Sequence, residues 1–166
     1  MSQAFLRNTL RFILLILVQV WVLNNIQFLG YINPYIYILF ILALPVKLNR
    51  WIVLLLAFAT GMCIDMFSDT LGLHTFATVL IGFLRAPVLK LVASYEDNVN
   101  FEPSFHTIGV AGYVKYAIAL VLIHHFTLFY MEAFTFTHFW ITFYRALLSS
   151  AVTILLIFGV QLLKRN

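Results

Sequence analysis

Residues 51–74 read WIVLLLAFATGMCIDMFSDTLGLH, and this stretch decides what kind of protein the chain is. From Trp51 to Phe67 the run is apolar apart from a few small or weakly polar residues, and it holds one charge, Asp65. A helix crossing about 30 Å of hydrocarbon needs roughly 20 mostly apolar residues, so this run is nearly long enough. Trp51 suits a membrane interface. Ser68 to Gly72 is a short polar turn, after which Leu73 opens a second apolar run that lasts to Val92. The unit is a hairpin of two membrane helices.

The same reading extends in both directions. Leu10 to Gly30 forms a first span, with polar residues gathering at its far end. Asn33 can cap a second helix that starts at Pro34 and runs to about residue 48, either beginning earlier or passing Pro45 with a kink. Beyond the hairpin, spans of about 107–130 and 138–163 complete the set of 10–30, 34–48, 51–67, 73–92, 107–130 and 138–163. The expected fold is all-α: one integral membrane domain over residues 1–166, built as a six-transmembrane-helix bundle. Composition agrees. Apolar residues are 63% and charged residues 10%, against about 45–50% and 25% in soluble domains. The basic Met1 to Arg11 segment leads into the first apolar run like a signal peptide. That run ends in Asn24-Asn25-Ile26-Gln27 without a small-residue cleavage site, so an uncleaved span is expected. Cys63, the single cysteine, excludes an intrachain disulfide framework.

Cationic residues set the orientation. Arg7 and Arg11 precede the first span, Lys47 and Arg50 separate the second and third, and Lys164 and Arg165 close the chain. Arg85, Lys90 and Lys115 lie near the loop between the fourth and fifth spans. The alternate connections, near 24–33, 68–72 and 131–137, carry no Lys or Arg. Both termini are therefore expected in the cytoplasm.

Ionisable groups at membrane depth are the candidates for function, because each costs about 2.5–3.5 kcal/mol at a helix centre. Asp65 and Asp69 stand one turn apart on the stripe that carries Gly61. At about 1.5 Å per residue, Asp65 lies roughly 21 Å from Trp51, and Arg145 roughly 10 Å inside His138, which brings them to nearly one level. An Asp65–Arg145 pair inside the bundle is expected; the alternative is an Arg145 that snorkels outward. His74, Thr78 and Arg85 share one stripe of the fourth helix. Arg85 and Lys115 are within reach of head groups or of Glu96, Asp97 and Glu102, in a loop (94–106) expected to be a solvated connector. His124 and His125 are neighbours pointing about 100° apart and cannot grip one metal together. Asp65, Asp69 and His74 could hold a divalent ion, but polar helix contacts explain them more simply. No HExxH, GxSxG, phosphate-binding glycine loop or CxxC pair is present. No catalytic residue, metal or cofactor is expected, and no nucleic-acid partner.

The run Gly61-Met62-Cys63-Ile64-Asp65-Met66-Phe67-Ser68-Asp69-Thr70-Leu71-Gly72-Leu73-His74 resembles the central signature of the bacterial rod shape-determining protein MreD family. In that family a Gly and an Asp one turn later end the third helix, and a Leu-Gly pair opens the fourth. Asn33-Pro34, the Ala-Leu stretch before the third span and Gly82 are similar to the same pattern; Tyr35 departs from it where many members have an acidic residue. The resemblance covers about Pro34 to Lys90. It implies a non-enzymatic subunit of the cell-elongation machinery in the bacterial inner membrane. Its partners would be MreC, the glycosyltransferase RodA and a class B penicillin-binding transpeptidase, with MreB filaments coupled from inside. It also implies a fold like the substrate-binding membrane subunits of energy-coupling-factor transporters. Gly61, Asp65, Asp69, Gly72, His74, Arg85 and Arg145 are the residues expected to serve structure or partner binding. A small-solute carrier is the runner-up, though Leu10 to Gln27 lacks the Ala or Gly stripe such carriers use for docking. A membrane enzyme acting on lipid head groups is third, with Arg85, Lys115 and the loop acids as its only candidate group.

Overall fold

The computed structural model describes residues 2–26, 32–93, 100–134 and 138–163. Among them are five helices long and apolar enough to cross a membrane, the make-up of a multi-pass membrane protein. These are α1 (Ser2–Trp21), α3 (Arg50–Ser68), α4 (Leu73–Val92), α5 (Gly109–Ala133) and α6 (Phe139–Leu163). The apolar and polar residues are distributed in the sense that lipid imposes. Trp51, Leu55, Met66, Leu71 and Leu155 are exposed, while Gln19, Thr60, Thr78, Ser149, Thr153 and Gln161 are buried. Polar side chains at helix contacts, with aliphatic ones facing outward, are what a bilayer favours.

The expected hairpin is present. Asn49 caps α3 by accepting the N–H of Trp51 at 2.9 Å. Asp69 ends the helix in the left-handed conformation, with φ of 54°. Gly72, with φ of 83°, starts α4 from a conformation that a side chain disfavours. The two helices touch at Gly61, where a Cβ would lie 2.7 Å from Thr75 N and 2.8 Å from His74 O. From there α4 packs on α5 and α5 on α6, while α1 lies against α3.

Two expectations need correction. The first span, expected over 10–30, lies earlier in the chain, and its last expected residues, 27–30, are outside the described residues. Its helix starts before Arg7 and stops at Trp21, followed by a single 3-10 turn at Leu23–Asn25, where asparagines compete for the backbone. The second span is not a continuous helix from Pro34. Only Ile38–Leu42, here α2, is α-helical. Pro34 opens a non-helical stretch that turns at Ile36 and Tyr37 instead, and the helix ends before Pro45, which cannot continue it.

This broken segment is nevertheless the centre of the molecule. All ten residues from Tyr35 to Leu44 are buried. Irregular backbone survives at membrane depth only where protein encloses it and supplies its hydrogen bonds. Gln19 of α1 does so twice, donating to Pro34 O at 3.1 Å and accepting from Ile36 N at 2.9 Å. Ser149 and Thr153 of α6 accept from Asn33 N and Tyr35 N. Tyr116 of α5 donates to Leu42 O, and Arg11 to Ala43 O. Gln19 and Arg11 are eight residues apart on α1, about 12 Å along its axis. The segment thus returns antiparallel to α1.

Candidate functional site

Asp65 is the hub of the α3–α4 turn. Its carboxylate, on a residue only 6% exposed, accepts four hydrogen bonds. Oδ1 takes Thr70 Oγ1 at 2.5 Å and His74 N at 3.1 Å. Oδ2 takes Thr75 N at 2.8 Å and Thr75 Oγ1 at 2.5 Å. The amides of His74 and Thr75 belong to the first turn of α4, where backbone donors lack helical partners and the helix dipole favours an anion. Asp65 therefore works as a capping group reached from the preceding helix.

Arg145 is not its partner. The Arg145 guanidinium lies 4.6 Å from the Phe129 ring centroid and reaches Glu132 at 3.4 Å. The expected Asp65–Arg145 pair is replaced because first-turn amides and threonine hydroxyls already fill the carboxylate. Asp69 also departs from the cluster envisaged for it. It is exposed, since its left-handed backbone turns it away from the stripe shared by Gly61 and Asp65.

His74, Thr78 and Arg85 are all buried on one side of α4, as their spacing required. They serve different partners. Thr78 donates to His74 O at 2.6 Å. Arg85 donates to Leu44 O and Pro45 O, just past the end of α2, and among the described residues it meets no acid of the loop. Glu102 pairs instead with Arg7 at 2.5 Å and Arg11 at 2.8 Å. Lys115 is exposed on α5. Glu96 and Asp97, like Lys164 and Arg165, lie outside the described residues.

Around the broken segment is a cluster that residue spacing alone did not reveal. Tyr37 Oη stands 2.9 Å from His74 Nδ1 and 2.8 Å from His124 Nε2. One hydroxyl can donate to only one of them, so the two imidazoles present opposite roles. His124 donating and His74 accepting leaves His124 Nδ1, which has no hydrogen-bond partner, as a bare acceptor rather than an orphaned N–H. His125 Nδ1 is 2.9 Å from Val121 O and so carries the proton. Its Nε2 then accepts from Thr153 Oγ1 at 3.1 Å, and the same oxygen accepts from Tyr35 N. The Tyr35 ring packs against His74, His124 and His125, with centroids 5.0, 6.1 and 5.3 Å away. The adjacent histidines, expected to point apart, have their rings edge to face with centroids 5.5 Å apart, and their nitrogens reach different parts of the same segment. The available signal was the concentration of Tyr35, Tyr37 and three histidines in otherwise apolar runs.

Above this cluster, at the end that carries the Asp69–Gly72 turn, a cavity of about 370 Å³ opens. Asn24, Asn33, Tyr35, Ser68, His74 and Glu132 contribute its polar lining. The site can fix a helix turn, hold a buried hydrogen-bond chain and offer amide, hydroxyl and carboxylate groups to a small polar molecule. In comparisons with known proteins, no family model, curated protein or solved structure matches this chain.

Proposed function

We propose that this chain is a non-enzymatic scaffold subunit of the bacterial cell-elongation complex, of the MreD type. In this reading it crosses the inner membrane six times, the broken segment supplying the second crossing, with both termini in the cytoplasm. It holds the membrane helix of MreC and stands beside RodA and a class B penicillin-binding transpeptidase, with MreB filaments beneath. The observation that carries the reading is the Asp65 turn. The run that resembles the family signature is also where close helix approach at Gly61, the Asp65 cap and the Gly72 conformation converge. A rigid bundle with an aliphatic exterior suits association by side-chain packing within the bilayer. Tagged protein purified from its own host in mild detergent should bring down MreC and the cell-wall synthases. Failure of MreC to co-purify, with both proteins inserted, would reject the scaffold role.

One observation favours a second reading, a substrate-binding membrane subunit of the energy-coupling-factor type. The polar cavity of about 370 Å³ is within the size range of small-molecule sites, roughly 300–1,000 Å³. Recovery of ATPase subunits or of a bound solute in the same purification would move this reading to first place.

A further inference from the structure

The opposite end of the α3–α4 pair holds a cavity of different character. Its volume is about 290 Å³, and among the described residues Arg50 and Arg85 are the charged ones that line it. The remaining wall, including Val46, Val53, Phe83 and Pro87, is apolar or glycine.

Arg85 is 3% exposed, and its Nε is buried without a hydrogen-bond partner. Its other nitrogens meet carbonyl oxygens of Leu44 and Pro45. Arg50 lies over the Phe83 ring, with its guanidinium carbon 4.2 Å from the centroid. Among the described residues the arginines in ion pairs are Arg7, Arg11 and Arg145, and neither Arg50 nor Arg85 meets a carboxylate. A guanidinium taken out of water without a counter-charge is costly, and carbonyl dipoles offset only part of that cost. The first turn of α3, which begins at Arg50, adds the positive end of a helix dipole to the same space.

We propose that this cavity binds the phosphate of an anionic phospholipid, held between Arg50 and Arg85. Planar guanidinium groups match phosphate oxygens in pairs, and basic pockets between membrane helices suit such head groups. The apolar remainder of the wall favours a lipid over a soluble ion, because acyl chains can lie against Phe83 and the neighbouring aliphatic surface. Phe83 is itself 48% exposed, so the cavity opens toward the surface where lipid would stand. The site does not depend on the scaffold reading.

Native mass spectrometry of the full chain in detergent tests it, with phosphatidylglycerol and phosphatidylcholine of identical acyl chains. Arg50→Gln is the informative variant, because Arg85 also holds the end of α2 and its loss can unfold the protein. Arg7→Gln serves as a comparison at the same end of the bundle. The wild type should retain phosphatidylglycerol about fivefold better than phosphatidylcholine, and Arg50→Gln should abolish that preference with unchanged circular dichroism. Equal retention of the two lipids overturns the proposal. So does a preference that survives Arg50→Gln, or one lost in Arg7→Gln alone. A thermal midpoint that rises with inorganic phosphate in lipid-free detergent, without any lipid preference, assigns the site to a soluble anion and overturns the lipid source.

Discussion

Asp65 holds Thr75 at two points: Oδ2 accepts the backbone N–H at 2.8 Å and the side-chain hydroxyl at 2.5 Å. A carboxylate near the end of one helix thereby fixes the first turn of the next, with Thr70 and His74 completing its coordination.

Asp65→Ala removes four acceptor contacts and leaves the first-turn amides of α4 buried without partners. A stability loss of about 2–3 kcal/mol is expected, read as a lower thermal midpoint in detergent. Asp65→Asn keeps part of the acceptor set and should fall between the two. Combined with Arg145→Gln the effects should add within about 0.5 kcal/mol, because the two residues share no partner. A larger coupling would mean that the two side chains interact after all.

Gly61→Ala forces a methyl group into the backbone of α4 at Thr75 and His74. Neither helix can yield locally, so a loss of about 1–3 kcal/mol or failure to accumulate in the membrane is expected. Gly159→Ala on α6, where an added Cβ meets nothing within 4 Å, should be neutral or stabilising by up to about 1 kcal/mol. Expression yield and thermal midpoint of the pair, measured side by side, separate close approach from helix propensity. Equal behaviour would remove the case for close approach.

Gln19→Leu deprives Pro34 O and Ile36 N of their partner while roughly keeping side-chain volume. Two buried backbone groups left unsatisfied cost about 1–3 kcal/mol each. The loss should appear as faster amide exchange and proteolysis across residues 33–44 before global unfolding. Protection equal to the wild type in that segment would show that other groups suffice.

Tyr37→Phe keeps the ring and removes the hydroxyl that joins His74 to His124. About 1–2 kcal/mol should be lost, with both imidazoles left short of a partner. A double-mutant cycle with His124→Phe should give a positive coupling energy; an additive result would count against the hydrogen-bond chain.

Much of the α3–α4 hairpin was legible in the chain. The apolar run from Trp51, the polar turn and Gly72 define two helices and their connection through local rules of length, capping and backbone freedom. The stripe of His74, Thr78 and Arg85 follows from helical spacing, and all three are buried. The partner of Asp65 was less legible. Matching depths on two helices made Arg145 plausible, but depth does not fix rotation about a helix axis. The local amides of α4 stood nearer.

Sequence by itself determined that this is a chain of long apolar helices, because that property depends on composition and run length alone. It also marked the Gly61–His74 turn, since the residues that shape it are neighbours along the chain. Only the tertiary structure decided that residues 33–44 form a largely buried, broken segment rather than part of a full helix. The backbone there is satisfied by Gln19, Arg85, Tyr116, Ser149 and Thr153, up to 118 residues away. A helix carries its own hydrogen bonds, whereas irregular backbone in an apolar interior exists only where distant side chains are brought to meet it.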